Sequence, residues 1–270
     1  MSAELKTNSA NPSEIRITWL SCACFEIDID GKGIVTDPYI TANAFSPCCA
    51  ENIKKCDLMT LSHGHYDHIT DFPVLTRRFP DVPILCGPLT AMPLVKWLDR
   101  NPSYIYPVES NLELDFGWVK VKALFGHHND LKGTMSEIQQ RLSLAPECLE
   151  YPGMEELNAI GTLEYRNYLF TVPDGRKILI WGSMPTADQF HLLSGLHADI
   201  AILQRNDSHP EKLAQFAEAT GAKIVIPHHM DLRKTPEEYL PGLEKTKAAF
   251  GKLVPDGRFL IPEHGVEYDF

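Results

Sequence analysis

The chain has 270 residues, 44% of them hydrophobic, and a formal charge of −11 at pH 7. That is ample apolar material for a core, while no run is long enough to span a bilayer and no charged-then-apolar leader opens the chain, so a cytoplasmic protein with no membrane partner is expected. A charge this negative repels phosphate backbones and argues against nucleic acid as a partner, but it leaves a small anionic substrate open wherever bound metal ions dominate the local field.

Residues 1–13 are polar and read as a flexible tail ahead of a single domain over 14–270. Ile15–Leu20 and Ala23–Ile29 alternate like half-buried strands. Asp30-Gly31 marks a turn before the strand Gly33–Asp37. Leu58–Ser62 is a further strand, Ile69–Leu75 opens a helix, and Pro83–Cys86 is a short strand. Leu89–Leu98 reads as a helix with Thr90 as its cap. Tyr104–Tyr106 and Leu112–Asp115 lead to a strand from Val119 to His128. Residues 129–160 read as an inserted helix and loop, either a wall of the substrate pocket or a peripheral decoration. Leu163–Val172 and Lys177–Trp181 flank Pro173-Asp174-Gly175 as a hairpin. Thr186–Leu196 is a helix, and Asp199–Leu203 is a strand apolar on both faces. Pro210–Thr220 is an amphipathic helix, and Thr235–Phe250 is a helical stretch that Pro241 should interrupt. Arg258–Pro262 closes the pattern. Strands alternating with surface helices in two successive halves predict an α/β fold of two packed sheets with helices outside.

Seven cysteines are present, none with Cys-x-x-Cys spacing. They read as buried, reduced thiols, with Cys22 and Cys24 facing one way in a strand and Cys48-Cys49 a vicinal pair in a loop.

The chemistry concentrates in His63-Gly-His65-Tyr-Asp67-His68. Three imidazoles and a carboxylate in six residues are the donors that bind a divalent metal and activate water on it. Successive residues of an extended chain point opposite ways, so His63 and His65 can aim at one point. The following turn can bring Asp67 and His68 to a second point nearby.

This stretch resembles the His-x-His-x-Asp-His signature of the metallo-β-lactamase fold superfamily. Ile34–Pro38, Val119–His128, Lys177–Ser183 and Lys223–Asp231 resemble, in order, its further strand-end motifs. The last of these looks most like the hydrolase branch with the ascorbate-6-phosphate lactonases and phospholipase-D-like enzymes. The resemblance implies an αβ/βα sandwich of two mixed sheets with helices on the outer faces. It implies one or two divalent ions, zinc first, with manganese or iron as alternatives. One metal would be held by His63, His65 and His128, and the other by Asp67, His68 and His229. Within His127-His128 and His228-His229 the family pattern favours the second member. The spare His127 or His228 is then an oxyanion or leaving-group contact, or a packing residue. Asp67 would both ligate metal and orient the water.

Ser183 departs from the pattern, standing where most two-metal members carry a bridging aspartate. Asp207, Asp37 and Asp130 are candidate replacements. The implied activity is hydrolysis of a small-molecule ester, lactone, amide or phosphodiester by a metal-bound hydroxide. The alternative is a catalytically degenerate metal- or small-molecule-binding member. His65 argues against a di-iron oxidoreductase, Ser183 against a sulfur dioxygenase, and the charge against a nuclease. A homo-oligomer stays open. His191, His197, His209 and His264 read as surface or cap residues.

Overall fold

The alternation in the first half produces β1 (Ile15–Ser21), β2 (Cys24–Ile29), β3 (Lys32–Thr36), β4 (Leu58–Thr60), β5 (Ile84–Cys86) and β6 (Ile105–Pro107). The second half gives β7 (Glu113–Asp115), β8 (Lys120–Gly126), β9 (Tyr165–Thr171), β10 (Lys177–Trp181), β11 (Ile200–Gln204), β12 (Ile224–His228) and β13 (Arg258–Phe259), and β14 (Glu267–Asp269) follows. These come from a computed structural model that describes residues 12–128, 153–182, 187–205 and 209–270. The tail up to residue 11, most of the 129–160 insertion, and Ser183, Asp130 and Asp207 lie outside the described residues.

Among the described residues the strands form two seven-stranded sheets, ordered β14-β1-β2-β3-β4-β5-β6 and β13-β12-β11-β10-β9-β8-β7. Each sheet is antiparallel on one side and parallel on the other, with β3 to β6 and β10 to β13 the parallel runs. Their inner faces close on each other around Ile15, Ile17, Phe25, Ile27, Tyr168, Phe170, Ile180 and Ile202. Burial at this scale supplies the main driving force for folding.

Helices cover the outer faces. Over the first sheet lie α1 (Tyr66–Ile69), α2 (Phe72–Arg78), α3 (Pro88–Leu98) and α4 (Glu155–Leu163). The second sheet is covered by α5 (Ala187–Leu193), α6 (Pro210–Ala219) and α7 (Pro236–Leu253). This is the expected α/β sandwich.

Three local expectations change. Thr90 does not cap α3, whose N-cap is Gly87. Instead the Glu164 carboxylate, brought from α4's C-terminal end, accepts from the Leu89 and Thr90 N–H groups and from the Thr90 hydroxyl. A carboxylate there satisfies donors that the first turn leaves unpaired. Pro241 lies inside an unbroken α7. The carbonyl it frees belongs to exposed Glu237 and can reach water, while Tyr239, Leu243, Thr246 and Phe250 bury the opposite face. Cys22 is not in a strand: it occupies the bend between β1 and β2 with φ of +39°.

Candidate metal centre

Parallel strands leave their C-terminal ends at one edge, where α/β folds collect side chains for chemistry. β3 delivers Asp37 there, β4 delivers Ser62 and the His63–His68 stretch, β8 delivers His127 and His128, and β12 delivers His228 and His229.

His63, His65 and His128 form the first group, with their donor atoms all within 4.8 Å of one another. Ser62 Oγ lies 2.9 Å from His63 Nδ1, leaving His63 Nε2 facing His65 Nδ1 at 3.1 Å. The other nitrogen of His65 meets Thr162 Oγ1 at 3.1 Å. The His128 ring lies 4.6 Å from that of His63 and 4.3 Å from that of His65. Its Nδ1 is buried with no hydrogen-bond partner among the described residues. Burial, reinforced by neighbouring imidazoles, drives His63 well below its ordinary pKa and His128 down to about 3. Burial also lowers His65, to about 4. All three are therefore neutral near pH 7, the form that binds a metal. Nitrogens bound tetrahedrally to zinc at ≈ 2.0–2.1 Å would sit roughly 3.3 Å apart, so the His63–His65 spacing fits such an ion.

The glycine between these histidines is required by packing. A Cβ on Gly64 would strike the backbone carbonyl of Leu157, and one on Gly161 would strike His65. The described end of the insertion, α4, thus presses directly on the motif loop and walls the site.

A second group consists of Cys22, Asp67 and His229, again with donor atoms mutually within 4.8 Å. His229 Nε2 lies 3.0 Å from Asp67 Oδ2. His229 adopts φ of +60°, and its N–H donates to the Cys22 carbonyl at 2.8 Å. His68 stands beside this group, its Nε2 3.6 Å from Asp67 Oδ2. Burial disfavours the Asp67 carboxylate, but the charges of His68 and His229 outweigh it and hold the pKa far below the usual range. Burial likewise opposes a charge on His68, and Asp67 and Asp37 overcome it, raising its pKa.

Asp37 proves to be an orienter. Its Oδ1 accepts from Ser62 N–H at 2.6 Å, and its Oδ2 accepts from Ser62 Oγ at 2.7 Å and lies 3.0 Å from His68 Nδ1. Among the described residues it joins neither donor group, and its contacts are those of a carboxylate behind the ligands. A carboxylate behind an imidazole fixes the ring and its tautomer. His127 turns aside, its ring edge-on to Phe125 at 4.6 Å. His228 is buried, with Nε2 3.2 Å from the Trp181 carbonyl, and among the described residues neither spare histidine joins a donor group.

Two residues of the centre escape sequence reasoning. Cys22 was one thiol among seven. His264, expected at the surface, stacks on Trp19 at 3.9 Å and holds buried Asp231 at 2.9 Å. Only the unusual backbone at Cys22 would have marked it, and that depends on the fold.

Comparisons with known proteins agree with this fold. Residues 16–148 match the family model described as a beta-lactamase superfamily domain. The chain is 27% identical over 261 residues to a UPF0173 metal-dependent hydrolase of Geobacillus sp. (strain WCH70), covering 94% of this chain and all of that one. It is 24% identical over 247 residues to a similarly named protein of Bacillus velezensis, covering 90% and 94%. Among solved structures, it resembles a metallo hydrolase from the archaeon Ignicoccus hospitalis with a TM-score of 0.67 at 16% identity, covering 95% and 98%. The isothiocyanate hydrolase from Delia radicum gut bacteria gives 0.64 at 17% identity, covering 94% and 98%. Taken with the two mixed sheets and the placement of the histidine motif at their common edge, these matches show that the chain has the metallo-β-lactamase fold, with residues 16–148 similar to a beta-lactamase superfamily domain.

Proposed function

We propose that this chain is a metal-dependent hydrolase acting on a small-molecule ester, lactone, amide or phosphodiester. His63, His65 and His128 hold one ion, and Asp67, His68 and His229 contribute to a second, zinc ahead of manganese or iron. The observation that carries this reading is the pair of adjoining donor groups at one strand edge, with neutral imidazoles in the first and an ionised carboxylate in the second. Bound ions supply a water of lowered pKa and polarise the electrophile.

The protein residues do the rest. Asp67, held by His229 and ionised, orients the attacking water. Ser62 and Asp37 lock the rings of His63 and His68 so that their remaining nitrogens face the centre. Arg233 is exposed and donates to the Tyr66 hydroxyl at 3.2 Å, which sets a cation beside the motif for an anionic substrate group. His127, half-buried next to His128, serves the leaving-group side better than His228, which burial pushes down to about 3 and which the Trp181 carbonyl engages. The substrate is a small molecule rather than nucleic acid, as the charge of −11 favours.

Elemental analysis of freshly purified protein, alongside hydrolysis of p-nitrophenyl esters and bis-p-nitrophenyl phosphate with added zinc or manganese, tests this. The expected result is about two ions per chain, reduced by both His63→Ala and His229→Ala, with metal-dependent turnover. A single ion, lost with His63→Ala but indifferent to His229→Ala, and no turnover would overturn it in favour of a non-catalytic binder.

A further inference from the structure

We propose that Cys22 is a direct sulfur ligand of the second metal, an inference that rests on the metal-dependent reading above and names the donor completing its second site. Three observations carry it. The sulfur lies with the Asp67 and His229 donor atoms inside the mutual 4.8 Å limit, and the residue is wholly buried.

The backbone at Cys22 is built to hold it there. A φ of +39° is uncommon for a residue with a Cβ and persists where surrounding contacts impose it. Those contacts are all present. The Cys22 N–H donates to Asp231 Oδ1 at 2.9 Å, and the Cys22 carbonyl accepts from Trp19 Nε1 at 3.0 Å and from His229 N–H at 2.8 Å. Asp231 is in turn fixed through Oδ2 by Asn43 Nδ2 at 2.7 Å and His264 Nε2 at 2.9 Å. Cys24, equally buried two residues on, is a strand residue of β2 and joins no donor group among the described residues.

Charge is the third observation. The three imidazoles of the first group are neutral ligands, so within the two donor groups of the described residues Asp67 is the one carboxylate for two dications, and Ser183 supplies none in the sequence. Sulfur from Cys22 restores that anionic donor, its proton passing to solvent as the metal binds. A thiolate also selects the ion: it favours zinc or cobalt over manganese, whose preferred donors are oxygens.

Cobalt titration of the reduced, metal-stripped protein is the test, because sulfur bound to Co(II) gives a near-ultraviolet charge-transfer band that nitrogen and oxygen donors do not. The band should grow with the second cobalt equivalent in the native chain and in Cys24→Ser. Cys22→Ser should keep the first equivalent and the native circular dichroism, lose the band, and weaken the second equivalent more than about tenfold. Cys22→His, which keeps a donor but no sulfur, should bind two equivalents without the band. Two cobalt ions bound by the native chain without the band, or a band that survives either Cys22 variant, would overturn this inference and leave the metal-dependent reading intact. Failure of the native chain to bind cobalt at all would overturn both.

Discussion

The two donor groups are built in different ways. The first takes His63 and His65 from one loop and His128 from the end of β8, with the adjacent Ser62 behind His63 and Thr162 of α4 behind His65. The second draws Cys22, Asp67 and His229 from the β1–β2 bend, the motif helix and the end of β12, and Asp231 reaches 209 residues along the chain to hold Cys22. Both groups form only when the two sheets have closed on each other, since His128 and His229 come from the second sheet, but the first keeps two of its three donors in one short segment while the second draws all three from separate elements. Occupancy of either is therefore a report on the fold as well as on the site.

Acid should separate the two most strongly. In the metal-free protein His63, His65, His128 and His228 are buried in the neutral state, with His65 lowered to about 4 and His128 and His228 to about 3 from an ordinary 6.5. The unfolded chain takes up protons near 6.5, and the folded chain does so only well below. The stability these groups contribute is complete above 6.5 and is lost as pH falls towards the folded values. Each bound-proton difference costs about 1.4 kcal/mol per pH unit, so the step from pH 6.5 to 5 removes up to about 2 kcal/mol per imidazole. His68 runs the other way, since its raised pKa gives stability that is full below 6.5 and lost as pH rises through the folded value. The four lowered groups outweigh it. Denaturant unfolding of stripped protein at pH 8, 6.5 and 5 checks this, and a midpoint that rises with acid would refute it.

Gly64→Ala attacks the first group through its backbone. The added methyl meets the Leu157 carbonyl, which belongs to a helix and cannot swing aside as a side chain would. Overpacking of this kind costs about 1–3 kcal/mol. It should also displace His63 and His65 and weaken the first equivalent of cobalt before the second. Thermal unfolding and the order of loss in a cobalt titration are the readouts.

Asp231→Asn aims at the second group alone. It removes the charge that His264 and Asn43 share and that receives the Cys22 N–H. Supports of this type alter metal affinity by about 10–100-fold. The second equivalent should weaken by that factor while the first is unchanged. An equal loss of both would mean that the groups are one cooperative unit.

The same contrast decides what the sequence could disclose. His63, His65, Asp67 and His68 were legible because strand and turn geometry act over a few residues, and the period-two alternation of β1 and β2 was legible for the same reason. In the second group Asp67 was legible in the same way and His229 through the resemblance, but Cys22 was not. Cys22 looks like any buried thiol until the bend turns it, and that bend depends on Asp231 and His229 far along the chain. His264 carried no local sign of its contact with Asp231. The edge strand β14, which pairs Arg16 with Asp269 and Thr18 with Glu267, is three residues long and has little periodicity to display. Asp37 was visible as a carboxylate at a strand end, but whether it bridges or orients depends on the parallel register of Thr36 with Thr60, which sets it against Ser62. Gly182 was readable only by resemblance, as part of a strand-end motif; its physical reason is that a Cβ there would run into the Tyr165 hydroxyl.

The smallest effect should come from Thr162→Val. The shape is kept and only the hydroxyl partner of His65 Nε2 is lost, at a site where that nitrogen already lies 3.1 Å from its partner. The ring stays packed by His63 and His128, so its position changes little. What changes is the preference for the tautomer with the Nε2 proton, which leaves Nδ1 free to face His63 and any ion bound there. Loss of one such orienting contact belongs at the lower end of the known range, about tenfold in metal affinity. The effect should fall on the first equivalent alone, and Thr162→Ser, which restores the hydroxyl, should recover it. Recovery by serine would assign the effect to the hydrogen bond. A deficit that serine leaves untouched would assign it to the packing of α4 against the motif loop, where Gly161 and Gly64 already bring the two backbones as close as they can come.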